Sequence, residues 1–251
     1  MSLHAGPSAV VDSREVAAAN AELEGASPEA ILRFAAARFP GRISFATAFG
    51  PEGCVLVDVI AHEGLPIDIF TLDTGLLFPE TIELWEALER RYRIVIRAVR
   101  PAQSVSEQAA QYGRALWERL PDRCCELRKV EPLRKELSRL DAWITSIRRD
   151  QTHDRGSARI VERDAKFGLI KINPLVSWNS EAVWERIRER RIPVNALHAE
   201  GYPSIGCEPC TTAVTHGEDP RAGRWRTFEK KECGLHARFP TAQTPTFPKE
   251  T

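Results

Sequence analysis

No apolar run in the 251 residues reaches the length needed to cross a bilayer. Met1–Val11 lacks the charged start and apolar core of a secretory signal. These absences argue against a membrane-bound or exported chain, and a cytoplasmic location is the expectation. Internal repeats are also missing, which leaves one large domain or a domain with appendages. Net charge is absent: 35 basic residues balance 35 acidic ones, so no overall field draws the chain to nucleic acid or to a membrane. No DNA-binding helix pair is recognisable. Cysteine is sparse; six in a chain of this length do not make a secreted disulfide framework. The neighbours Cys124 and Cys125 are poor disulfide partners, because an unstrained bridge needs a wider Cα separation. Reduced thiols in a reducing compartment fit better.

What is present is ordinary for a globular protein, with ample apolar surface for a core. The positive charge is mostly arginine, the residue suited to bidentate contacts with phosphate or sulfate. Val11–Leu23 reads as a helix. Ser27-Pro28-Glu29 supplies an N-cap, an N1 proline and an acidic first turn for a helix through Phe39. Ile43–Ala46 is a strand, followed by a loop with Gly50, Pro51 and Gly53 and an apolar helix, Cys54–His62. Ile67–Leu72 and Ile94–Val99 are strands around an amphipathic helix, Pro79–Tyr92, with Ile82, Trp85 and Leu88 on one side. The alternation predicts an α/β fold with a doubly wound, mostly parallel sheet, whose ligands bind at the carboxyl ends of its strands. Thr47–Gly53 and Asp73–Gly75 lie at those ends.

Further on, Cys124–Leu140 reads as a helix, Trp143–Ile147 as a strand, Ser157–Lys171 as a hairpin-like excursion and Ser180–Arg190 as a helix capped by Asn179 or Ser180. After Pro193 the chain turns irregular, and the last fifteen residues read as a surface tail. Three regions are expected: a helical segment over 1–40, a nucleotide-binding α/β unit over 41–215, and a C-terminal segment over 216–251 that must move if one thiol is to serve two partners.

Five of the cysteines fall in three places: Cys124-Cys125, Cys207-Glu208-Pro209-Cys210, and Cys233 in Lys231-Glu232-Cys233-Gly234-Leu235-His236. The first four suit a tetrahedral thiolate set, with iron–sulfur and zinc as competing metals. Cys233, flanked by two lysines and a histidine, has the basic surroundings of a reactive thiolate. Cys54, inside an apolar helix, reads as core. The loop Ala48-Phe49-Gly50-Pro51-Glu52-Gly53 could hold an anion on its backbone amides, or could be only a turn. Arg148, Arg149, Arg221 and Arg224 could clamp a phosphosulfate or lie in solvent.

Ile43–Val57 (ISFATAFGPEGCVLV), Leu72–Gly75 (LDTG), Cys124–Leu133 (CCELRKVEPL), Arg148–Gln151 (RRDQ), Ile205–Thr211 (IGCEPCT) and Lys231–His236 (KECGLH) occur in that order. Together they closely resemble assimilatory adenylyl-sulfate reductases of the iron–sulfur type, relatives of the phosphoadenylyl-sulfate reductases, over about Ile43 to His236. The resemblance implies a Rossmann-like fold of the adenine-nucleotide α-hydrolase type. It implies a [4Fe–4S] cluster on Cys124, Cys125, Cys207 and Cys210, and Cys233 as nucleophile toward the sulfur of adenylyl sulfate. AMP would leave, and reduced thioredoxin would free sulfite from the S-sulfocysteine. Ser44, Thr47, Gly50, Asp73, Thr74, Gly75, Lys129, Arg148, Arg155, Arg221, Arg224 and His236 would contact substrate. A homodimer or homotetramer fits the family.

Two departures stand out. The family's phosphate loop reads Gly-Ala-Glu-Asp where this chain has Gly50-Pro51-Glu52-Gly53, and its Thr-Gly before RRDQ is Thr145-Ser146 here. Alternatives are a phosphoadenylyl-sulfate or dual-specificity reductase and, from another class, a cluster-bearing redox sensor. An ATP-using sulfur transferase would need an SGGxDS loop, which is absent.

Overall fold

The computed structural model describes residues 12–230 and 232–235. Six strands form one sheet: β1 (Ile43–Thr47), β2 (Asp68–Leu72), β3 (Ile96–Val99), β4 (Ala142–Ile144), β5 (Val161–Asp164) and β6 (Leu169–Ile172). Their order is β3-β2-β1-β4-β6-β5, with every neighbouring pair parallel except β5 and β6. The chain winds outward from β1 in one direction and from β4 in the other. The switch between them opens a crevice at the carboxyl ends of β1 and β4. The doubly wound α/β expectation holds.

The helices are α1 (Ser13–Glu22), α2 (Pro28–Arg38), α3 (Pro51–His62), α4 (Pro79–Tyr92), α5 (Val105–Tyr112), α6 (Leu116–Arg119), α7 (Pro121–Cys125), α8 (Glu131–Leu137) and α9 (Ser180–Arg190). Side chains alternate across the strands as a pleated sheet requires. Ile43, Phe45, Ile69, Ile96, Ile144, Ile170 and Ile172 belong to the large core with α2, α3, α4 and α9. Phe70, Trp143 and Leu169 point the other way, against Leu133 and Leu137 of α8. Each such burial contributes about 1.5–3 kcal/mol, so the sheet is held from both faces.

The N-terminal helices belong to the same body. Val16, Leu23, Ile31 and Leu32 are part of the large core. Asn20 of α1 treats the edge strand β5 as a neighbouring strand would: its Nδ2 donates to Val161 O at 2.7 Å, and its Oδ1 accepts from Val161 N at 3.2 Å. Caps fall where expected, with Ser27 accepting from Ala30 N at 3.3 Å and Asn179 accepting from Ala182 N at 2.8 Å.

Several boundaries differ from expectation. Helix α3 starts at Pro51, an N1 proline, so Gly53 lies in its first turn rather than in a loop. On α4 the buried positions are Thr81, Leu84 and Leu88, while Ile82 is 45% exposed; the apolar stripe is rotated from the one expected. The helix expected over Cys124–Leu140 is three pieces, α7, a π-helical turn (Glu126–Val130) and α8. In the π turn Glu131 N donates to Glu126 O, and Pro132, which has no N–H, follows at once. β4 stops at Ile144 instead of Ile147. Helices α5 and α6 lie where no element was expected. No helix among the described residues is long and apolar enough to cross a membrane.

Candidate active site

At the end of β1, Thr47 Oγ1 accepts from Phe49 N at 3.1 Å and holds Phe49 at φ 59°, with the Phe49 ring stacked on Trp85. Gly50 is the N-cap of α3 and makes no side-chain cap, so the amides of the first helical turn are left to an incoming anion. A side chain at Gly53 would place its Cβ 2.7 Å from Thr47 Oγ1, with Ser146 Oγ 3.9 Å from the same point. The two departures from the family pattern, Gly53 and Ser146, therefore meet in space, where only a bare backbone fits beside Thr47.

The loop after β2 is fixed by its own side chains. Asp73 accepts from Gly75 N at 3.0 Å and from Arg100 Nε at 2.9 Å. Thr74 Oγ1 stands 3.3 Å from Cys207 Sγ, and its carbonyl accepts from Arg128 Nε. The segment carrying Cys207 clips onto this loop: Leu77 and Cys207 form an antiparallel bridge, and Glu208 N donates to Leu76 O at 2.8 Å.

The four paired cysteines line one cavity together with Leu76, Pro121, Arg128, Lys129 and Trp225. Sharing a cavity does not make them a ligand set. Among the described residues no group of three or more His, Cys, Asp or Glu side chains stands where it could hold a metal ion. The expected [4Fe–4S] cluster on Cys124, Cys125, Cys207 and Cys210, and with it the iron–sulfur assignment, is therefore withdrawn. Burial pushes the thiols of Cys124, Cys125 and Cys210 up to about 11. Cys207 differs. Burial opposes its ionisation, but Lys129, the Thr74 hydroxyl and Arg224 outweigh that and hold it below the usual thiol value. Cys54 is buried in the core, as expected.

Beside this cavity lies a cationic pocket. Glu232 Oε1 and Oε2 accept from Arg155 Nη2 at 2.9 and 3.2 Å, and Oε2 also from Arg221 Nη2 at 3.2 Å. Lys166 Nζ donates to Gly234 O, and Leu235 packs on the small core beside Phe167. Between these anchors is Cys233, half-buried and within electrostatic reach of Lys129, Arg155, Lys166 and Arg224. Burial works against the Lys129 ammonium, yet its electrostatic interaction with the neighbouring cysteine sulfurs, Cys207 foremost, holds it above the usual lysine value. Burial is also the largest influence on Arg155 and Arg224 and lowers both. The Nε atoms of Arg155 and Arg224 are buried with no hydrogen-bond partner among the described residues. Two guanidiniums with spare, desolvated donors next to a thiol make a strong anion subsite.

Not every expected contact residue converges here. Ser44 sits toward the opposite end of β1, its hydroxyl 3.1 Å from Asp68 in the first register pair of β2. Arg148 is turned toward Glu52 and Asp150. Its backbone is joined to the cationic pocket only through Gln151, which accepts from Arg148 N and Arg155 Nη1. His236 lies outside the described residues. Glu232, Lys166 and Trp225 were not anticipated; a carboxylate between basic residues and the thiol was the available sign for Glu232.

Residues 42–213 match the family profile described as phosphoadenosine phosphosulfate reductase domain. The chain belongs to this family. Among its relatives are the phosphoadenosine 5'-phosphosulfate reductase of Gloeobacter violaceus, 45% identical over 85% of this chain and 90% of that one. Another is the adenosine 5'-phosphosulfate reductase 2 of Bacillus subtilis, 46% identical over 82% and 88%. The crystal structure of phosphoadenylyl-sulfate reductase from Candida auris, in a phosphate complex, superposes with a TM-score of 0.73 at 32% identity, covering 83% of this chain and all of that one. Yeast FAD synthetase, at 17% identity and TM-score 0.52, shares the reductase-family fold alone.

Proposed function

We propose that the protein is an oxidoreductase that reduces adenylyl sulfate to sulfite and AMP at Cys233, with thioredoxin as the thiol donor. The observation that carries this reading is the seating of Cys233 among Lys129, Arg155, Lys166 and Arg224. The Cys233 thiolate attacks the substrate sulfur, the S–O bond to the phosphate breaks, and AMP leaves with the electron pair. Negative charge grows on the leaving phosphate as that bond opens, and the nearby cations stabilise it. One thiol of reduced thioredoxin then attacks the Cys233 sulfur and releases sulfite; its second thiol resolves the mixed disulfide, so the dithiol supplies both electrons. The nucleotide would lie along Thr47, Gly50 and the Asp73–Gly75 loop, with the sulfo group at Arg155, Arg221 and Arg224.

Relatives named for both adenylyl sulfate and phosphoadenylyl sulfate support a second reading, a dual-specificity reductase. The deciding experiment measures sulfite release with reduced thioredoxin on each nucleotide. Preference for adenylyl sulfate is expected. Cys233→Ser should reduce sulfite release to background while nucleotide binding persists; turnover in that variant would sink the assignment of the nucleophile.

A further inference from the structure

The carboxylate of Glu232 occupies the two guanidiniums that an incoming sulfo or phosphoryl group needs. Its side chain is 10% exposed, about as buried as that of Arg155 at 11%. The remaining anchors of the arm differ in kind: Lys166 holds a carbonyl, and Leu235 makes an apolar contact. We propose that Glu232 is a positioning residue that stands in for the substrate anion, closing the Cys233 arm onto Arg155 and Arg221 and yielding both when substrate arrives.

This rests on reading the pocket as the anion subsite of the reductase. Without Glu232 the largely buried Arg155 and the neighbouring Arg221 would lose the carboxylate that pairs them, an arrangement that burial makes costly. Glu232 supplies the missing charge from within the chain. Substrate brings its own negative charge, so the carboxylate becomes redundant and its hold is exchanged. Among the described residues the arm then stays attached by Lys166 and Leu235, which leaves the thiol near the sulfur yet free to swing toward a reductant.

Because Glu232 and the anion share donors, arm closure and substrate binding are negatively linked, and the linkage is reciprocal. Binding of adenylyl sulfate is measured by calorimetry in the Cys233→Ser background, so that no sulfur is transferred. Adding Glu232→Gln should tighten binding by roughly five-fold or more, the lower end of typical coupling, while Glu232→Asp, which keeps the charge, should stay close to the parent. In parallel, trypsin cleavage after Lys230 reports arm opening. Adenylyl sulfate should accelerate it in the parent, and the Gln variant should be cut rapidly with or without nucleotide. Unchanged or weaker binding in the Gln variant, or nucleotide protection of the parent from trypsin, overturns the placeholder role and leaves the reductase reading standing. Absence of binding in every variant overturns both.

Discussion

Gly206 and Arg224 are matched atom to atom. A Cβ at Gly206 would lie 2.1 Å from Arg224 Nη2 and 2.4 Å from its Cζ. The clash is with the far end of a flexible side chain, so Gly206→Ala should keep the fold and expel the guanidinium from the pocket. Loss of a buried donor to developing charge typically costs roughly 10²-fold, and sulfite release by Gly206→Ala should fall by about that factor while circular dichroism is unchanged. His198 makes a different kind of prediction. Burial holds its pKa below the usual 6.5, against the opposing pull of the Tyr202 carbonyl and Glu52. Its Nδ1 donates to Tyr202 O at 2.8 Å, and its Nε2 is buried without a partner among the described residues. A depressed folded pKa means that this contribution is complete above the unfolded value and is lost as pH falls toward the folded one. His198→Gln should therefore lose less stability than the parent between about pH 7.5 and about pH 5.5, read from urea midpoints.

Among the elements, α1 and β5 form the most exposed dependency. Asn20 satisfies both backbone groups of Val161 on an edge strand, and those groups are buried beneath the helix. Asn20→Ala should destabilise the protein by about 1–3 kcal/mol in chemical denaturation and favour self-association through the bared edge. A variant of unchanged stability would mean that water replaces the amide without cost. Strands and caps of this kind were readable beforehand because they depend on local chemistry: alternation in β1 and β2, Pro28 after Ser27, Asn179 before α9. The three-part helix over Pro121–Leu137 was not, because a π turn preserves helical composition and shifts only the register. That shift buries Arg128 and half-buries Lys129 against the thiol cavity. Arg155, Arg221, Arg224 and Cys233 could be picked out by their motifs, but Glu232, separated from Arg155 along most of the C-terminal third, became meaningful only in three dimensions. Ser44 shows the complementary case: it lies close to the Thr47–Gly50 loop in sequence, but the strand carries it toward the other end of β1, beside Asp68.

For the molecule as a whole, two grades of attachment follow from how its parts are tied. The Cys207 segment is tied by backbone bonds, Glu208 N to Leu76 O in the loop after β2 and Trp225 N to Cys210 O within the segment, at 2.8 and 3.0 Å. The Cys233 arm is held by side chains at Glu232, Gly234 and Leu235. Native-state hydrogen exchange should find the amides of Glu208 and Trp225 opening with the sheet, and those of Cys233 and Gly234 opening at much lower free energy. Equal protection in the two segments would show that the arm is an integral part of the fold.

Trp225 lies where these two grades meet. It adopts a left-handed backbone at φ 47°, walls the thiol cavity, and carries Arg224 at 4.6 Å and Lys230 at 5.3 Å from its ring centroid. Thiols and ammonium groups both quench indole emission, and Lys230 stands only two residues before the Glu232 anchor. Lys230 is itself tied to Asp122, so an opening that strips this ion pair carries one quencher away from the ring. The protein thus contains its own optical gauge, and the brightness of this tryptophan in a stopped-flow trace will time each opening without any added label.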